Sequence, residues 1–374
     1  MRCLSRSTSA ALLACATALA GCTGARPAPH APLLPPLAAW KTLLDESVVA
    51  PLAADGRRVF VATRDGAVRA LDPATGAQLW RVEGLPGRLS ASEGVLIVRG
   101  ETGALASLHP RTSQLRWRTE TPVAGALPAL VDGDRVHVAG RGFASLIVET
   151  GAPVFVDGAG PETTAPPLAA QGRVFTGEAD GSLRCRDRAT GAVVWTLPTR
   201  SALAAPPLVD TRRKRLYLGT TDKRILEVSL ADGEGGWSWR IGADASEAGL
   251  LYRGRVLFAP KDAVLYALEA GGNLAWRVAL PSRPLSAPLL VDGRVVIACL
   301  ENLLVSVDPD AGTLEGSFKT PAEIRAAPIL AGGLLVLGLR DRSVIAYAPA
   351  GKAAPADEPA APLAPPVEAS PRGR

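Results

Sequence analysis

A tryptophan-ending turn that returns about every 40 residues, a short β-type run inside each copy and a lone tryptophan segment ahead of the first copy together predict an all-β fold. That fold is an eight-bladed β-propeller of four-stranded antiparallel blades, its ring closed by the N-terminal strand around Trp40. Composition agrees. The chain has 374 residues, 47% of them hydrophobic and 21% charged, which is ample for a large core. Its 38 glycines and 32 prolines favour many turns over long helices.

The turn is fullest at Ala70-x-Asp72-x-x-Thr75-Gly76-x-x-x-Trp80. An aspartate at the start of a turn can accept backbone N–H bonds, and a glycine supplies a positive φ. Cys185-x-Asp187-x-x-Thr190-Gly191-x-x-x-Trp195 differs only at its first position, and Ser107 to Trp117 is a degraded copy. Ser145 to Phe155 replaces the tryptophan with phenylalanine, Ala267 to Trp276 is one residue shorter, and Ser306 to Gly316 has glycine where tryptophan would stand. The fifth copy, blurred by "ADGEGGWSW", is read as ending at Trp239. The ends at 80, 117, 155, 195, 239, 276 and 316 are spaced by 37, 38, 40, 44, 37 and 40 residues. Each tryptophan can bury ~150–250 Å². Trp40, Trp80, Trp117, Trp195, Trp239 and Trp276 are therefore read as wedges between blades, not as a cofactor cage.

Within each period, a small-Pro-aliphatic stretch ("VAPLAADG", "LPALVDG", "APPLVDT", "APLLVDG", "APILAGG") usually precedes a β-type run. Eight such runs occur, from Val59-Phe60-Val61 to Leu334-Leu335-Val336-Leu337, each followed by a turn such as "RDG" or "EADG" and another short strand. The eighth copy stops at "SVIAYAPAGK" without a tryptophan strand. "AAWKTLL" supplies one, with Trp40 lying 40 residues before Trp80. Ring closure by this segment removes exposed sheet edges.

The N-terminus carries a targeting signal. Arg2 and Arg6 precede an apolar run, Ala10 to Ala20, too short to span a bilayer. The run leads into Leu19-Ala20-Gly21-Cys22, which resembles a bacterial lipobox. Residues 1–21 are read as a lipoprotein signal peptide and Cys22 as the lipidated residue; several acyl chains anchor stably. Thr23, not Asp, follows the cysteine, which favours the outer membrane with the protein facing the periplasm. Residues 22–38 form a Pro-rich tether, 39–352 the propeller, and 353–374 an Ala/Pro-rich tail expected to be disordered.

Other chemistry is sparse. Besides Cys22, the mature chain keeps Cys185 and Cys299, three repeats apart and expected as two buried thiols too distant to bridge. The three histidines are scattered, which argues against a histidine metal site. "DPDAG" at Asp308 to Gly312 resembles part of a calcium loop but lacks its later glutamate. A formal net charge of +5, spread along the chain, does not suggest nucleic-acid binding. The densest charge cluster, Arg212-Arg213-Lys214-Arg215, lies in a first-to-second strand turn and is a candidate contact for an acidic partner or anionic lipid.

Over about residues 40–350, the AxDxxTGxxxW repeats resemble those of pyrroloquinoline-quinone-like (PQQ-like) β-propellers. With a lipobox ahead of eight blades, the chain is similar to the BamB family, the lipoprotein subunit of the outer-membrane β-barrel assembly machinery. The resemblance implies a non-enzymatic scaffold without a cofactor, bound to the periplasmic POTRA domains of the barrel subunit and assisting unfolded outer-membrane proteins. A general periplasmic interaction or ligand-sensing propeller is an open alternative. A quinoprotein dehydrogenase is a weaker one, because that family is longer and usually carries an adjacent Cys-Cys pair, which this chain lacks.

Overall fold

The structure is a computed structural model and describes residues 33–349 except 204. Its strands form eight antiparallel sheets and no helix occurs among the described residues. Blade 1 is Val48–Ala54, Val59–Thr63, Val68–Leu71 and Gln78–Val82; blade 2 is Arg88–Ser92, Val95–Arg99, Ala104–Leu108 and Leu115–Glu120. Blades 4 to 7 repeat the plan from Leu168, Leu208, Leu250 and Leu289. Blade 8 is Ile324–Ala331, Leu334–Leu339 and Ser343–Ala348, completed by Leu37–Leu43 from the other end of the chain. Trp40 pairs with Ala346 in that closure, as Trp80 pairs with Ala70 in blade 1.

Blade 3 consists of Leu130–Asp132, Arg135–Ile147 and Pro153–Glu162. Straight, a strand as long as Arg135–Ile147 would hold its ends about 40 Å apart. Yet the Val148 amide donates to the Asp134 carbonyl at 2.9 Å. The segment doubles back at Arg141-Gly142 and supplies both the second and third strands of the blade.

The burial pattern follows from the ring. Second strands are covered on both faces by neighbouring blades, so Val59–Thr63 and Leu334–Leu339 are buried throughout. Fourth strands form the rim and alternate, as in Val193–Pro198. Eight apolar clusters lie one at each blade junction; one joins Phe60, Ala62 and Ala70 of blade 1 to Leu96, Val98 and Leu108 of blade 2. The junction of blades 3 and 4 has the smallest, Ala139, Phe143 and Val174. It adds Arg186 stacked 5.1 Å over Phe143, and a buried Glu178 that accepts from the Thr176 and Thr163 hydroxyls.

The repeat motif locks blade to blade. The Asp72 carboxylate accepts from the Ala74 and Thr75 amides, both at 2.9 Å, and Asp187 does the same for Ala189 and Thr190. Gly76 has φ +72°, and a Cβ there would lie 2.4 Å from the Trp40 ring. The indole of one blade thus seats on the turn glycine of the next, and its Nε1 donates into the same turn. Trp40 bonds the Pro73 carbonyl, Trp80 that of Pro110, Trp117 that of Val148 and Trp276 that of Pro309. The Trp195 ring likewise covers Gly233, but its Nε1 has no hydrogen-bond partner among the described residues.

The structure corrects two readings. The fifth copy ends at Trp237, not Trp239. Trp237 covers Gly272 and donates to the Ala270 carbonyl at 2.8 Å, whereas Trp239 pairs with Ile225, two residues further along the strand. The turn there is Ser229-x-x-Asp232-Gly233, with the usual polar roles exchanged between its first and fourth residues. The fold also begins before residue 39. Leu33 joins the cluster between blades 7 and 8, and Leu34 is buried with its Cβ 3.8 Å from where a Cβ on Gly316 would stand. Blade 8 has no turn joining its third and fourth strands, so no turn glycine awaits a tryptophan at position 316, and the entering chain fills the space. The expected signal peptide, Cys22, the rest of the tether and the tail lie outside the described residues.

Candidate functional site

Antiparallel strands alternate in direction, so a blade presents two kinds of corner. First-to-second and third-to-fourth turns share one face of the ring. Second-to-third turns and the links between blades share the other. The chain enters Leu37–Leu43 on the first face, since Leu37 pairs with Ala348 and Leu43 with Ser343.

The Arg212-Arg213-Lys214-Arg215 turn is on that first face. Asp210 shapes it: its carboxylate accepts from the Arg212 and Arg213 amides at 3.0 Å and from the Arg213 guanidinium at 2.8 Å. Burial works to raise the Asp210 carboxyl, but the bonds from Arg213 and the turn amides outweigh it and hold the group below the usual range. Lys214 adopts φ +56° in a turn two residues longer than its counterpart between Tyr252 and Arg255. Arg215 is drawn aside to Glu227 at 2.9 Å. Arg212 and Arg213 line a cavity of about 670 Å³ with Arg253, while Lys214 and Arg215 do not. The sequence cluster is thus split. Arg213 is answered by Asp210, Arg215 by Glu227, and Arg212 and Lys214 have no ion pair among the described residues.

The opposite face holds a cavity that the repeat comparison missed. It has a volume of about 510 Å³ and lies between blades 1 and 2. Its wall includes Gly84, Gly87 and Gly100, its floor Leu105 and Ala106, and its rim Arg64, Arg118, Glu101 and Glu120. The available signal was the short spacing of 37 residues from Trp80 to Trp117, with no small-Pro-aliphatic stretch in that copy.

The remaining candidates carry little chemistry. Cys185 and Cys299 are free and fully buried, and burial pushes their thiols up to about 11 and about 12. Among the described residues, no group of three or more His, Cys, Asp or Glu side chains could hold a metal ion.

The family profile described as outer membrane protein assembly factor BamB matches residues 38–125, 64–259 and 261–354. The protein of that name from Burkholderia pseudomallei is 27% identical, over 91% of this chain and 98% of its own. The one from Yersinia pestis is 23% identical, over 78% and 82%. Among solved structures, BamB from Moraxella catarrhalis has a TM-score of 0.68 at 20% identity, covering 84% of this chain and 97% of its own. Sqt1 of Saccharomyces cerevisiae has a TM-score of 0.71 at 6% identity, covering 84% of this chain and 99% of its own, a likeness of fold alone.

Proposed function

The chain belongs to the outer membrane protein assembly factor BamB family, and from that membership we propose that it is a non-enzymatic scaffold of outer-membrane β-barrel assembly. The single observation that carries the reading is the family profile, whose matches run from residue 38 to 354 and so take in every blade. In this reading Cys22 is lipidated and anchors the protein to the outer membrane, facing the periplasm. The loops of the ring then hold partner proteins, first among them the periplasmic POTRA domains of the barrel subunit. The turn at Arg212 to Arg215 is one contact, because Arg212 and Lys214 present charge that no carboxylate among the described residues answers.

Calorimetric titration of the soluble chain into purified POTRA domains tests the contact. Replacing Arg212 and Lys214 with serine should weaken binding roughly tenfold, and more at low salt than at high salt. Unchanged affinity at both salt concentrations would remove the basic turn from the interface.

A further inference from the structure

Blade 2 departs from the other blades at its first strand. In blade 1 the first strand takes five steps, Val48 to Ala53, where its partner takes three, Thr63 to Phe60. Blade 5 repeats this, with Leu203 to Leu208 opposite Thr220 to Tyr217, and so do blades 4, 7 and 8. The two extra residues bow the strand at a proline such as Pro51, Pro207 or Pro328. Blade 2 has no bow: Arg88–Ser92 pairs residue for residue with Val95–Arg99 and contains no proline.

A hydrogen bond is lost with it. In each of the seven other blades, the amide entering the second-to-third turn donates to the carbonyl just ahead of the first strand. Arg64 to Ser47 at 3.0 Å and Thr221 to Ala202 at 3.2 Å are examples. The matching amide in blade 2, that of Glu101, makes no such bond among the described residues. Glu101 stands at the rim of the 510 Å³ cavity, whose wall includes all of Gly84 to Arg88, the shortened link itself.

We infer that this cavity is a docking site for an extended segment of a partner polypeptide, which supplies the main chain that blade 2 lacks. What the blade misses, relative to its neighbours, is extended backbone, and the Glu101 N–H is left without the carbonyl its equivalents bond. Gly84 admits close approach, since nothing lies within 4 Å of a Cβ placed there. The apolar floor at Leu105 and Ala106 suits an aliphatic side chain. Three arginines, Arg64, Arg88 and Arg118, line the cavity together with two carboxylates, Glu101 and Glu120. Resting on the scaffold reading, the segment belongs to an unfolded barrel client, whose strands alternate apolar and polar residues.

The test uses the full-length protein and a fluorescein-labelled ten-residue peptide of alternating valine and threonine, read by fluorescence polarisation. Saturable binding is expected. Ala104→Trp, which fills the cavity, should weaken it roughly tenfold or more, while Arg57→Ser, in the exposed first-to-second turn of blade 1 on the opposite face, should leave it unchanged. Hydrogen exchange on the native protein gives an independent readout, in which added peptide should slow exchange at the Glu101 amide. No saturable binding, equal binding by Ala104→Trp, or unchanged exchange at Glu101 would each overturn the assignment. POTRA binding is measured separately, so failure of the scaffold reading would show there and failure of this site here.

Discussion

A Cβ on Gly76 would lie 2.4 Å from the Trp40 ring, so a single hydrogen-to-methyl change strikes the contact between two blades. Gly76→Ala forces either the positive φ or the indole to give, and Trp80→Ala removes a wedge that also donates to Pro110 at 2.9 Å. Trp80→Ala should cost about 3–5 kcal/mol, and a thermal melt unchanged from the native protein would contradict the assignment. His137 supplies a pH-dependent test. It is fully buried against Phe143, and burial holds its pKa down to about 4, with Asp132 at 3.7 Å partly opposing and Arg188 and Arg135 reinforcing. Above about pH 6.5 the ring is neutral folded and unfolded, and its contribution is complete. Between about 6.5 and 4 the unfolded chain takes a proton that the folded one refuses, so stability falls by on the order of 3 kcal/mol. Buried Glu178 works the other way, because burial raises its carboxyl and penalises the folded state as pH rises. His137→Phe should shrink the difference between melts at pH 7.5 and pH 5; an equal difference would place the titration elsewhere.

At the scale of the element, the closing strand shows why a degraded repeat can be the correct sequence. Gly316 replaces a tryptophan because blade 8 offers no turn for one, and Leu34 occupies the site. A chain starting at residue 37 keeps Leu37–Leu43 yet loses buried Leu33 and Leu34. It should lose about 1.5–3 kcal/mol for each leucine, read by urea unfolding, and an unchanged midpoint would show that the two leucines do not support the junction. Much of this level was legible beforehand. The recurring Asp-Thr-Gly-Trp spacing and the orphan strand at Trp40 gave the blade count and the closure. Trp237 was misread because two tryptophans follow three glycines in "DGEGGWSW", and only the cross-blade contact with Gly272 selects between them. The missing bow in the first strand of blade 2 was hidden for a related reason. First strands outside blades 1, 2 and 8 pair over only three residues, so their register is set by the neighbouring strand and not by their own pattern.

For the whole molecule, eight junction clusters share the core around a closed ring, and sequence variation is left to the corners. One of the two longest first-to-second turns in the structure carries the basic residues, and the shortest repeat carries the cavity, on opposite faces. The sequence cluster at Arg212 to Arg215 was visible as charge, but its division by Asp210 and Glu227 depends on contacts that only the folded ring brings together. A ring with two separately elaborated faces suits a protein that holds one partner while receiving another, and family membership names the assembly in which it would do so. The most direct measurement is affinity capture of the full-length protein from detergent-extracted membranes of its own cells, with bound proteins identified by mass spectrometry. The scaffold account predicts that the barrel-assembly subunit is recovered with it. Recovery of the intact, membrane-extracted protein without that subunit would contradict the account and favour a periplasmic propeller with a different partner.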